Sequence, residues 1–255
     1  MLSSFYMKGS FLFLGSGASL GTPVVGCACA VCRGEDPRQM RLRTSGLLRI
    51  GNKQILIDAG PDFRQQCLRH GLNAFDALCL THAHYDHIGG IEDLRIIYYQ
   101  RQEKIPCFLS EDTDSILQKK VHIRDYFSFS TFPTSFGTVL FEGIAISYFH
   151  YWQKQMQVTG FRVGNFAYVT DISHYDPTIF ACLEGIDTLV ISACSWRHSA
   201  VHLGLQKASI FAQRTGAKRT FFTHISHEIN TEKARPFLAP TTDFAYDGLE
   251  ISLRT

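Results

Sequence analysis

No apolar run in this 255-residue chain approaches the ~18 residues that a membrane-spanning helix needs. The stretch Phe11–Leu14 is too short for a signal-peptide core, and Met1–Gly9 carries a single lysine. These absences predict no membrane association and a cytoplasmic address, with Met7 as a candidate start and the first eight residues poorly ordered. Charge of one sign is also scarce, since 25 Lys and Arg against 23 Asp and Glu leave a net charge of +2. That balance excludes a broad field for nucleic acid or a membrane surface, while a local basic pocket stays open. There is no low-complexity linker and no internal repeat. What is present is 45% hydrophobic residues, enough to fill a sizeable core, and one domain is expected over residues 1–255. In a reducing compartment the eight cysteines should be thiols or metal ligands.

Strand-like segments recur at Ser10–Leu14, Gly46–Ile50, Gln54–Ile57, Ala77–Leu80, Val139–Phe149, Val158–Val163, Phe166–Thr170, Thr188–Ser192 and Arg219–Thr223. Helix-like segments lie between some of them, at Phe63–His70, Gly90–Gln100, Pro177–Glu184 and Leu203–Thr215. Gly51-Asn52-Lys53 and Gly164-Asn165 read as hairpin turns. Hairpin-linked strands followed by strands alternating with helices predict an α/β fold of sheets covered by outer helices.

The chemistry begins at His82-Ala83-His84-Tyr85-Asp86-His87, an H-x-H-x-D-H run directly after the apolar segment Ala77–Leu80. Three imidazoles and a carboxylate are costly to bury unless hydrogen-bonded or bound to a cation. Their nitrogen and oxygen donors suit zinc, manganese or iron. Further candidates close later strands: His150 after Ile144–Phe149, Asp171 after Phe166–Thr170, and His224 after Arg219–Thr223. Seven such donors exceed one tetrahedral ion and suit two ions about 3.5–4 Å apart that share a carboxylate. The expected division is His82, His84 and His150 on one ion and Asp86, His87 and His224 on the other, with Asp171 between.

A second metal site is read from Cys27, Cys29 and Cys32, a C-x-C-x-x-C loop supplying three thiolates. A tetrahedral structural zinc needs a fourth ligand, and His227, three residues beyond His224, is the candidate. A disulfide plus a free thiol, or a redox pair, are the alternatives. Cys67, Cys79, Cys107, Cys182 and Cys194 read as buried thiols in apolar contexts. Asp62 is expected to cap the helix that starts near Phe63.

The ordered ligand set resembles that of metallo-β-lactamase-fold hydrolases, over nearly the whole chain. The resemblance implies an αββα sandwich of two mixed β-sheets flanked by helices, with the metal site at one edge. It also implies that Asp58 orients the histidine loop from behind. Phe13–Ser19, the cysteine loop and Asp58–Arg64 resemble the phosphodiesterase branch, in particular the cyclic phosphodiesterases of bacterial phosphonate breakdown. A related quinone-cofactor biosynthesis protein shares the cysteine loop, so that loop marks a subfamily and not a substrate. Gly15, Gly17 and Gly21 do not form a G-x-G-x-x-G dinucleotide fingerprint.

Phosphodiesterases of this resemblance place a histidine beside the scissile phosphate, and His202 matches it, with His198 as the rival and Arg197 as a candidate phosphate clamp. The implied reaction is attack by a hydroxide held between two metal ions, with Asp86 orienting it and His202 protonating the leaving oxygen. A small, cyclic phosphodiester is the expected substrate, and a homodimer is implied by the resemblance alone. Alternatives are a tRNA 3′-processing nuclease, a thioester or lactone hydrolase, and a non-catalytic metal-binding carrier. Against the nuclease, no Gly/Pro-rich basic arm lies between His87 and His150. The aromatic stretch Tyr126–Phe136 and the segment Tyr151–Gln157 are read as pocket-shaping loops or as core.

Overall fold

The computed structural model describes residues 8–120 and 122–254. The expectation of a poorly ordered start falls on residues 1–7, outside that range, and on Lys8, whose backbone opens the first strand. The strands are β1 (Lys8–Gly15), β2 (Ser45–Ile50), β3 (Lys53–Ile57), β4 (Ala77–Cys79), β5 (Ile105–Ser110), β6 (Phe127–Phe132), β7 (Phe136–Phe141), β8 (Ile144–Gln153), β9 (Met156–Val163), β10 (Phe166–Val169), β11 (Thr188–Ser192), β12 (Arg219–Thr223), β13 (Thr242–Phe244) and β14 (Glu250–Arg254). The α-helices are α1 (Phe63–His70), α2 (Tyr85–Ile88), α3 (Arg95–Arg101), α4 (Glu111–Lys120), α5 (Ile179–Cys182), α6 (Leu205–Thr215) and α7 (Thr231–Ala234).

Two seven-stranded mixed sheets result, in the orders β14-β1-β2-β3-β4-β5-β6 and β13-β12-β11-β10-β9-β8-β7. The strands alternate faces with period two, and each face has its own core. Phe11 and Phe13 of β1 meet Ile146, Tyr148, Phe161 and Tyr168 of the other sheet in the core between the sheets. Leu12 and Leu14 face outward onto Phe63 of α1, Ile97 of α3 and Leu117 of α4. On the far side Phe149, Tyr151 and Leu189 pack against Ile179 of α5 and Ala208 and Phe211 of α6. The layering is therefore helix, sheet, sheet, helix, as expected of a metallo-β-lactamase-type sandwich.

One sequence expectation needs correction, and one open alternative is decided. Val139–Phe149 is not one strand: the chain turns at Glu142 and Gly143, with φ of 46° and 84°, and splits into the hairpin β7–β8. Positive φ at both turn residues matches the twist of paired strands, and it is a conformation glycine adopts freely. The aromatic stretch around Tyr126–Phe136 is largely β6, with Phe127 and Phe132 buried in the two cores. Among the described residues no helix is long and apolar enough to cross a membrane.

The parallel strands β3 and β4 of one sheet, and β10, β11 and β12 of the other, release their carboxyl ends toward one rim. Strand β8 runs antiparallel to β9, and β9 antiparallel to β10, so β8 ends on that rim too. Asp58, the H-x-H-x-D-H run, Gln153, Asp171, Cys194 and His224 all lie at or just beyond these strand ends.

Candidate metal centre

Three residues of the rim hold the chain in a conformation that side chains rarely adopt. Asp58, Asp171 and His224 have φ of 60°, 54° and 55°. Each such residue costs on the order of 1–3 kcal/mol, and the surrounding structure must over-determine it. The left-handed residue turns the chain as it leaves the sheet, and its side chain enters the site. Asp58 is fully buried and accepts from Thr81 N (2.8 Å), Thr81 Oγ1 (2.8 Å) and His87 Nδ1 (2.7 Å). It thereby fixes the His87 ring with Nε2 turned to the centre, the arrangement by which carboxylates orient metal-binding imidazoles.

Around that point the side chains converge. His82 Nε2 lies 2.9 Å from His84 Nδ1. His87 Nε2 is 3.1 Å from Asp171 Oδ2 and 3.5 Å from Asp86 Oδ2. His224 Nε2 is 3.4 Å from Asp86 Oδ2 and 3.3 Å from Asp171 Oδ1. His82, His87 and Asp171 form one group of donors within 4.8 Å of one another, and Asp86, His87 and His224 form a second. Asp171 belongs to the first and touches His224 of the second, so it lies between them. His87 Nε2 is buried without an aligned hydrogen-bond partner. Imidazole nitrogens and carboxylate oxygens crowded together with one orphaned inward-facing nitrogen fit divalent cations.

Strand β8 departs from the expected ligand set. His150 joins none of the donor groups: its ring sits beside Phe132 and Tyr148, with centroids 6.5 and 5.8 Å away, and its Nε2 is buried without a partner. Burial pushes it down to about 4, so it is a neutral imidazole. Gln153 stands nearer the centre. Its Nε2 donates to Asp171 Oδ1 at 2.9 Å and lies 3.2 Å from His202 Nε2. A lone glutamine in a polar segment carries no sequence signal for such a role. Cys194 was also missed, because its apolar neighbours read as core; it groups with His202 and His224.

His202 lies on the loop before α6 with 14% of its side chain exposed and its Nδ1 3.3 Å from Asp171 Oδ1. Its backbone is clamped by Ser199, which receives His202 N–H on Oγ (3.1 Å) and donates its own N–H to His202 O (3.0 Å). His198 and Arg197 are exposed. Asp62 occupies the position before α1, yet its carboxylate makes no cap bond. It accepts instead from the backbone N–H of Arg43 on Oδ2 (2.8 Å) and from the Arg43 guanidinium on Oδ1 (2.9 Å), so both oxygens are engaged away from the helix amides.

The cysteine loop meets His227 as a second donor group. Cys27, Cys29, Cys32 and His227 present ligand atoms within 4.8 Å of one another, with Cys27 Sγ and Cys29 Sγ at 3.3 and 3.5 Å from His227 Nδ1. Sulfur–nitrogen separations near ~3.5 Å are those of ligands around one tetrahedral zinc with its usual bond lengths. Val24 N–H and Cys32 N–H point at Cys32 Sγ and Cys29 Sγ at 3.3 and 3.4 Å. The Cys32 amide and His227 pull the Cys29 thiol down to about 6, so it is largely thiolate at neutral pH.

The sequence profile described as "Beta-lactamase superfamily domain" matches residues 53–225, the stretch that carries every donor of the rim. The chain belongs to the β-lactamase superfamily. Among solved structures it is similar to a diphosphatase from the PhnP family, at 32% identity and a TM-score of 0.93 over 98% of each chain. It is also similar to Zn2+-bound PqqB from Methylobacterium extorquens, at 19% identity and a TM-score of 0.78 over 96% of this chain and 100% of that one. A curated relative, an octanoyltransferase of Porphyromonas gingivalis, is 31% identical over 94% of this chain, and the chain spans 50% of that protein's length.

The metallo-β-lactamase fold implies divalent metal ions such as zinc, and the protonation of the rim shows how they would enter. Burial pushes His82 and His84 down, leaving both neutral and ready to ligate. Burial opposes protonation of His87 and His224 as well, but Asp171 and the other carboxylates facing them prevail. His87 is raised well above its ordinary value and His224 to about 10. Both therefore carry protons at neutral pH in the metal-free protein, and ligation must displace them. Metal affinity is expected to climb as pH rises through neutrality. Calorimetric titration in buffers of different ionisation enthalpy should record net proton release; uptake, or no proton change, would contradict these charge states.

Proposed function

We propose that the protein is a metal-dependent hydrolase of phosphoric diesters, acting on a small molecule in the cytoplasm, with a small cyclic phosphodiester as the expected substrate. The observation that carries this reading is the position of His202 against Asp171, at the edge of a buried cluster formed by His82, His84, Asp86, His87, Asp171 and His224. The 32% identity to a PhnP-family diphosphatase supports it. Bound ions would supply an acidified water and neutralise charge on phosphoryl oxygens.

The chain's own residues do the rest. Asp58 and Thr81 keep the histidine run aligned, and Asp86 and Asp171 stay ionised because His87 and His224 outweigh the effect of burial. His202 is pushed down to about 4 by burial and is neutral in the free protein. An anionic phosphate beside it favours the imidazolium, which then gives its proton to the departing oxygen. The exposed His198 is the weaker alternative for this step.

The octanoyltransferase relative favours a second reading, hydrolysis of an acyl ester or thioester. Turnover of a bis-aryl phosphodiester by protein stripped of metal and reloaded with manganese or zinc tests the first. His202→Ala is expected to lower kcat for an alkyl phosphodiester by roughly 10²–10⁴-fold, the usual worth of a general acid. A thioester expels a thiolate that needs no such proton. Metal-dependent thioester cleavage, insensitive to His202→Ala and without phosphodiester turnover, would move the reading to acyl chemistry.

A further inference from the structure

We propose that Gln153, and not His150, is the side chain that β8 contributes to the metal centre, with its carboxamide oxygen as the donor. The inference rests on the dinuclear reading above and concerns which atoms complete it.

Strand parity comes first. Successive side chains on a strand point to opposite faces, so residues 150 and 153 cannot serve the same face of β8. The even positions Ile146 and Tyr148 belong to the core between the sheets, and His150 follows them. The odd positions Phe149 and Tyr151 belong to the other face. Tyr151 donates its hydroxyl to Thr170 O at 2.7 Å, the residue before Asp171. Gln153, two residues further on that face, arrives beside Asp171 itself.

The second observation is the state of the amide. Gln153 is only 4% exposed, at the tip of a hairpin where a glutamine could easily reach water. Its Nε2 donates to Asp171 Oδ1 at 2.9 Å, while its Oε1 is buried and has no hydrogen-bond partner. An orphaned buried carbonyl is costly, and here it belongs to a side chain whose other atom already touches the carboxylate between the two donor groups. A cation on that oxygen removes the cost, and the same amide pins Asp171 through its N–H.

The consequence is chemical selectivity. An amide oxygen is a harder and weaker donor than imidazole, so an ion that took Gln153 Oε1 beside Asp171 would lose part of its preference for zinc. Manganese and other oxygen-seeking ions gain by comparison.

The test is metal content and calorimetric titration of chelator-treated protein with Mn2+ and with Zn2+, using retained cysteine-loop zinc to certify folding. Gln153→Ala is expected to lose one metal equivalent or weaken Mn2+ binding at least tenfold, and Gln153→Glu, which keeps an oxygen donor, to retain it. Gln153→His should raise the ratio of Zn2+ to Mn2+ affinity at least tenfold. His150→Phe should leave the metal count unchanged. Unaltered binding in Gln153→Ala, or loss of an equivalent in His150→Phe, overturns the assignment. If Gln153→Ala does not fold, the Glu and His variants decide it, because equal Zn2+ to Mn2+ ratios in all three proteins also overturn it. Wild-type protein that binds two ions but cleaves no phosphodiester would sink the functional reading and leave this one standing.

Discussion

Asp171→Asn is expected to abolish turnover to within a thousandth of wild type or less, a loss of about 4 kcal/mol or more in transition-state stabilisation. The side chain is 1% exposed and meets His87, His224, His202, Gln153 and Thr170 at once. Asn keeps the shape and the acceptor oxygen but removes the negative charge. The positive charges on His87 and His224 are held largely by this carboxylate, so both should fall toward or below the ordinary histidine value. The site then offers neutral imidazoles around one remaining anionic donor, Asp86, and at least one metal equivalent should be lost. Metal analysis, imidazole titration by NMR and phosphodiester turnover measured on one preparation would follow these effects. A folded Asp171→Asn protein with full metal content and normal rate would remove Asp171 from the centre.

The second large effect is expected at the cysteine loop. Cys29→Ala should leave the loop unable to hold zinc and destabilise the zinc-loaded protein by more than about 4 kcal/mol, the exceptional range reserved for losses such as a structural metal. Cys27 and Cys29 contact His227 from 200 and 198 residues away, so one ion would close a very long loop. The same segment is tied to the rim through Ile225, whose N–H reaches Ser16 O at 2.9 Å and whose carbonyl receives Ala18 N–H at 3.1 Å. Ile225 follows His224, so loosening the loop should also displace a residue of the rim and lower activity. Zinc content, thermal melts and rates measured together test this. A variant without zinc but with an unchanged melting temperature would reduce the cluster to an ornament of the loop.

Much of this architecture is legible in local patterns. Apolar runs such as Phe11–Leu14, Ile55–Ile57 and Leu189–Ile191 are strands because both of their faces are buried, and such segments announce themselves. Strand β5 does not, because Pro106 argues against a strand. Of β5, only Cys107 and Phe108 pair with the three-residue β4, so the missing proline N–H goes unneeded on that side. Strand β6, Phe-Ser-Phe-Ser-Thr-Phe, is half exposed at a sheet edge and reads equally well as a lid.

The sequence by itself determined the two donor runs. Donors spaced a few residues apart on one short turn converge whatever the rest of the chain does, as in His82–His87 and in Cys27, Cys29 and Cys32. It also marked Asp171 and His224, since a polar residue closing a buried strand must emerge at a rim. Only the tertiary structure decided which residue of β8 faces that rim, that Cys194 approaches His202 and His224, and that Asp62 turns to Arg43 rather than to its helix. The reason is parity and distance. A strand offers two faces, and nothing within Ile144–Gln153 itself says which of them will meet Asp171. Contacts between residues far apart in the chain arise only once both sheets have packed.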